Sequence, residues 1–106
     1  MLIISIVFLR DGNKSMTVHC FEIIAHGRVQ GVGFRYGTMQ IATQLNITGS
    51  VQNLPNGTVK IIAEGDKHNL EKFISLIKKG PTPFARVSKL EVRDLPTVQY
   101  RLFVIK

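Results

Sequence analysis

Ile47-Thr48-Gly49-Ser50-Val51-Gln52-Asn53-Leu54-Pro55-Asn56-Gly57-Thr58-Val59-Lys60-Ile61-Ile62-Ala63-Glu64 reads as a β-hairpin. Residues 47–52 form one strand, and Leu54-Pro55-Asn56-Gly57 is a strong turn signal. From Thr58 to Glu64, the residues Val59, Ile61 and Ala63 alternate onto one face. What flanks this hairpin decides the fold. Upstream, Phe34 to Asn46 carries apolar residues at 34, 41, 42 and 45, with Thr38 on the same stripe, so a helix starts near Gly33. Gly37 inside it costs about 1 kcal/mol relative to Ala, which packing must offset. Downstream, Gly65-Asp66 ends the strand and supplies an N-cap. Leu70, Phe73, Ile74 and Ile77 then fall at i, i+3, i+4 and i+7 before Lys78-Lys79-Gly80-Pro81 stops the helix with late positive charge, a glycine and a proline.

Val18 to Ala25 is short, β-branched and interrupted by Glu22, as suits a strand with one face more buried than the other. Arg86 to Val92 and Gln99 to Ile105 supply two further strands around the turn Asp94-Leu95-Pro96-Thr97. The order is βαββαβ with an additional C-terminal strand. It predicts an α+β, ferredoxin-like α/β sandwich whose antiparallel sheet carries both helices on one face. That fold hosts enzymes, regulators and RNA binders, so function has to come from the site.

At 106 residues, 44% hydrophobic and 20% charged, the chain has enough apolar surface for one core, which excludes disorder, collagen-like repeats and coiled coils. The excess of 14 Lys+Arg over 7 Asp+Glu gives a formal charge of +7. A basic field of this kind attracts nucleic acid, acidic membrane and small anions alike, and no run of five or six basic residues chooses among them. An RNA-binding module shares the strand order, but such domains stack bases on sheet aromatics, and Thr58 to Glu64 has none. Cys20 alone cannot form an internal disulfide, and a buried inert thiol is the simplest reading of it. His19, His26 and His68 have no metal-ligand spacing. Glu64 and Asp66 are read as strand-edge charge and helix capping rather than an acid/base pair. A cytoplasmic setting is expected. Met1 to Leu9 is too short to span a membrane as a helix, which takes about 20 residues, and it lacks the features of a signal peptide. Residues 1–15 are therefore read as an N-terminal extension, disordered or an added strand, and residues 16–106 as a single domain.

The chemistry gathers at His26-Gly27-Arg28-Val29-Gln30-Gly31-Val32-Gly33-Phe34-Arg35. Three glycines in seven residues let the backbone turn tightly and approach a ligand closely. The stretch runs from the first strand into the first helix, where unpaired N–H groups and the positive end of the dipole favour an anion. Successive N–H groups from about Gln30 to Gly33 are placed to form a nest, with the Arg35 guanidinium adding a fork. The stretch lacks the last glycine of G-x-G-x-x-G, and no G-x-x-x-x-G-K-[ST] occurs. On glycine spacing alone, a tight connection with an exposed Arg35 fits as well as an anion site.

Gly27-Arg28-Val29-Gln30-Gly31-Val32-Gly33-Phe34-Arg35-Tyr36, then Gly49-Ser50-Val51-Gln52-Asn53-Leu54-Pro55-Asn56-Gly57-Thr58-Val59, then Ala63-Glu64-Gly65-Asp66 closely resemble the acylphosphatases in order and spacing, from about Met16 onward. The resemblance implies a ferredoxin-like sandwich and hydrolysis of a carboxyl–phosphate bond, a reaction of the acid-anhydride hydrolases, with no metal or organic cofactor. It assigns phosphoryl binding to Arg35 together with the loop Arg28, Val29, Gln30, Gly31, Val32 and Gly33, and orientation of the attacking water to Asn53. It implies a small acyl phosphate as partner, a site able to take inorganic phosphate or sulfate, a monomer, and no nucleic-acid or membrane partner. A non-catalytic binding domain, or a carbamoyl-transfer module such as those of hydrogenase maturation proteins, is the alternative within the same resemblance. The sequence departs from the usual pattern at Ser50, a position often aromatic, and at Gly37, where a larger residue is usual. Residues 1–15 have no counterpart.

Overall fold

The structure, a computed structural model, describes residues 17–106. The expectation for residues 1–15 lies outside them. The elements follow the order β1 (Val18–Arg28), α1 (Phe34–Gln44), β2 (Thr48–Asn53), β3 (Val59–Asp66), α2 (Lys67–Lys79), β4 (Arg86–Leu95) and β5 (Phe103–Ile105). In the sheet they stand β4-β1-β3-β2-β5.

The four strands of the split βαβ unit pair antiparallel, as expected: β1 with β3 and β4, and β2 with β3. The added strand differs, because β5 pairs with β2 in parallel and makes the sheet mixed. The reason is directional. β4 ends at the end of the sheet where β2 begins, so residues 96–102 cross that end, and the last strand can only run the same way as β2. This crossing also shortens it. The alternation from Gln99 reads as strand, yet pairing with β2 starts at Phe103, with Gly49 N–H donating to the Leu102 carbonyl at 2.9 Å.

Both helices lie on one face. There Ile23 and Ala25 of β1, Val51 of β2, and Val59, Ile61 and Ala63 of β3 meet Phe34 and Ala42 of α1 and Leu70, Phe73 and Ile77 of α2. Each large side chain buried in this layer contributes roughly 1.5–3 kcal/mol. α2 follows its sequence signals closely. Asp66 is the N-cap and accepts from the His68 N–H at 2.8 Å, and Lys78 and Lys79 fill the last turn. α1 has no such start: Gly33 precedes it at φ 75°, and no side chain among the described residues caps it.

The opposite face carries Cys20, Glu22, Ile24 and His26 of β1 and Lys60, Ile62 and Glu64 of β3. Phe21 turns to the helix side and packs against the core. No Phe, Tyr or Trp side chain from these two central strands is on the open face to stack a base, and the His26 ring there is engaged with Glu91. Near Glu64 this face is not open. The residues crossing from β4 cover it, leaving Glu64 3% exposed with its carboxylate accepting from the Val98 and Tyr100 N–H groups at 2.7 Å each. Glu64 is thus an internal anchor for the crossing segment rather than a strand-edge charge.

Candidate active site

The site forms at the sheet end opposite that crossing, where β1 hands over to α1, β2 enters its turn and β5 finishes. A cavity of about 220 Å³ there is lined by Val29, Gly31, Gly33, Phe34, Arg35, Tyr36, Asn53 and Ile105. That is smaller than the 300–1,000 Å³ usual for drug-sized ligands, and it suits a compact group.

The loop is shaped by its glycines. Gly31 and Gly33 sit at φ 74° and 75°, the left-handed region that side-chain-bearing residues seldom adopt. Among the described residues, no group accepts a hydrogen bond from the N–H of Gly31, Val32, Gly33 or Phe34. Together with the uncapped start of α1, this leaves several amide dipoles unpartnered beside the cavity. Arg35 is exposed in the first turn of α1, and its Nη1 donates to the Lys106 main-chain oxygen at 3.3 Å. Asn53 is the last residue of β2. It shares the helix-side face with Val51, and its Oδ1 is buried with no hydrogen-bond partner among the described residues. A buried acceptor without a donor is costly, so this oxygen calls for an N–H or O–H from outside the described residues.

The residues singled out in the sequence do not all face this cavity. Arg35, Asn53, Val29, Gly31 and Gly33 line it. Arg28 is exposed at the end of β1, paired in register with Arg86. Gln30 turns its side chain away, and Nε2 donates to the Leu54 and Thr58 carbonyls at 2.8 and 2.9 Å. The Val32 carbonyl points to the Thr82 hydroxyl, 2.9 Å away. Tyr36 and Ile105 line the cavity without having been singled out. Tyr36 directly follows Arg35, but Ile105 arrives from the far end of the chain, and no local pattern announces it.

The set-aside groups stay outside the cavity. His26 meets Glu91 across the open face at 2.7 Å. Burial, then the nearby Glu64 charge, pushes the Cys20 thiol up, so it stays protonated at neutral pH. Among the described residues, no cluster of three His, Cys, Asp or Glu side chains is placed to hold a metal ion.

A small cavity on a ferredoxin-like sandwich is edged by loop amides and a guanidinium, groups whose charge suits a compact anion. The Acylphosphatase family model matches residues 21–105. An acylphosphatase from Ligilactobacillus salivarius is 46% identical over 85 residues, 80% of this chain and 94% of that protein. The crystal structure of acylphosphatase from Bacillus subtilis superposes with a TM-score of 0.79 at 35% identity, over 85% of this chain and 99% of that one. The chain belongs to the acylphosphatase family, a family of acid-anhydride hydrolases. A structure of T. kodakarensis HypF also matches, with a TM-score of 0.73 and 34% identity, over 81% of this chain but 11% of that one. Among the described residues, no helix is long and apolar enough to cross a membrane.

Proposed function

We propose that the protein hydrolyses small acyl phosphates to a carboxylate and inorganic phosphate, with Arg35 and the loop amides holding the phosphoryl group and Asn53 holding the attacking water. The observation that carries this reading is the presence of Arg35 and the unpartnered Asn53 Oδ1 in the walls of one small cavity. Water attached to Asn53 attacks phosphorus, the P–O bond to the acyl group breaks, and the carboxylate leaves with the electron pair. A carboxylate is a good leaving group, so positioning and charge stabilisation suffice and no general acid is needed. The planar guanidinium suits two phosphoryl oxygens at once, which an ammonium does not.

The fate of the water proton follows from what surrounds it. Among the described residues, no His, Asp, Glu or Cys lines the cavity, and an amide is too weakly basic to take it. A phosphoryl oxygen of the substrate accepts it. The product phosphate binds the same cradle, and the enzyme works as a cytoplasmic monomer, a setting in keeping with its buried free thiol.

The test is release of inorganic phosphate from acetyl and benzoyl phosphate with EDTA present. Arg35→Ala is expected to lose phosphate binding and turnover together, by about 100-fold or more in kcat/KM. Asn53→Ala is expected to lose a similar factor in kcat while KM stays within about threefold. Near-normal rates in both variants overturn the assignment.

A further inference from the structure

The peptide between Val32 and Gly33 is held by a residue 50 positions away, since the Thr82 hydroxyl donates to the Val32 carbonyl at 2.9 Å. A trans peptide is planar and sends its C=O and N–H in opposite directions. Fixing the Val32 carbonyl on Thr82 therefore fixes the Gly33 N–H on the other side of the same unit, and Gly33 lines the cavity with Arg35 and Asn53. We propose that Thr82 is a positioning residue for phosphoryl binding, its hydroxyl holding the 32–33 peptide so that the Gly33 N–H faces the anion. This rests on the reading of the loop as a phosphoryl cradle.

The loop needs such a restraint. With glycine at both 31 and 33, its backbone reaches several conformations at little cost, and one with the 32–33 peptide reversed would present a carbonyl oxygen to the anion. The segment that supplies the restraint is stiff. Pro81 and Pro83 flank Thr82 and limit its backbone, and the Ala85 N–H closes a turn on the Thr82 carbonyl at 3.3 Å. Its access depends on Gly37. A Cβ on that residue would lie 2.6 Å from the Pro81 carbonyl oxygen and 3.0 Å from Thr82 Cγ2, so a side chain there would drive the turn off the helix. The helix-weakening glycine in α1 thus leaves the room that brings Thr82 to the loop.

The experiment compares wild type, Thr82→Val and Thr82→Ser by phosphate titration followed on the backbone amide resonances, and by kinetics with benzoyl phosphate. Valine keeps the shape and removes the donor, whereas serine keeps the donor and removes the methyl. Losing one well-aimed amide to a charged group corresponds to about a tenfold rise in the Kd for phosphate and in KM, with kcat changed much less. Thr82→Ser is expected within about twofold of wild type, and the wild-type Gly33 amide resonance is expected to shift on saturation. Equal behaviour of the two variants, or a wild-type Gly33 resonance that phosphate leaves in place, overturns the proposal; the second measurement needs no variant to fold. If wild type binds and hydrolyses normally while Thr82→Val matches it, only the role of Thr82 fails. If wild type binds no phosphate, the cradle fails and Thr82 with it.

Discussion

Gln30 ties together the two halves of the site. Its Nε2 reaches both ends of the turn after β2, the Leu54 and Thr58 carbonyls, and so couples the loop preceding Arg35 to the hairpin carrying Asn53. Replacing Gln30 with Ala removes one of two donors from each carbonyl, leaving Leu54 O with the Gly57 N–H and Thr58 O with the Leu54 N–H. It is expected to cost about 1–2 kcal/mol in a urea melt and to lower kcat about tenfold as the two halves lose their common reference. At this scale the sequence was legible where a residue's placement is set locally. Arg35 stands in the first turn after a glycine loop, and Asn53 stands at a strand end before Asn56-Gly57. It was not legible where the partner is distant. Gln30 was read for its main-chain N–H, and its side chain serves carbonyls 24 and 28 residues on. Thr82 and Ile105 carry no local mark at all.

Among the elements, α2 holds the sheet by a single stripe, Leu70, Phe73 and Ile77, each fully buried. Phe73 also meets Phe103 of β5 edge-on, with ring centroids 6.4 Å apart. Phe73→Ala is expected to destabilise the fold by about 3–5 kcal/mol, measured as a shift in the urea midpoint at constant slope. α2 was readable because cap, stripe and stop signals agree. β5 was misjudged in length because Tyr100, Leu102 and Val104 alternate as a strand would. The N–H groups of Val98 and Tyr100 are instead taken by the Glu64 carboxylate, and Gln99 between them adopts φ 67°. Alternation records which side of the chain is apolar, not which neighbour takes the backbone bonds.

Across the whole molecule, stability depends on carboxylates that must stay charged. For Glu64, burial pushes the carboxyl up, but the backbone N–H groups of Tyr100, Val98 and Gln99 together outweigh it and leave the group below its ordinary range. For Glu22, the hydrogen bond from Arg93 comes first, burial opposes it, and the charges of Arg93 and Lys60 add to the lowering. A carboxyl depressed in the folded state stabilises it fully above the unfolded value of about 4.3. That contribution is lost as pH falls through the folded value. The urea midpoint is therefore expected to hold level from pH 7 to 5 and to fall below about pH 4. Glu64→Gln is expected to start lower at pH 7 and to fall less steeply in acid. The position of Glu64 off the core face followed from its alternation with Val59, Ile61 and Ala63. Its cover did not, because that depends on the direction in which the chain returns.

That return also sets an order of events during synthesis. Ile105 forms one wall of the cavity and the Lys106 oxygen meets Arg35, whereas the glycine loop, Arg35 and Asn53 all leave the ribosome some fifty or more residues earlier. A nascent chain can therefore carry the glycine loop, Arg35 and Asn53 and still lack a finished cavity. The cavity gains its last wall only once β5 has been made and has paired with β2.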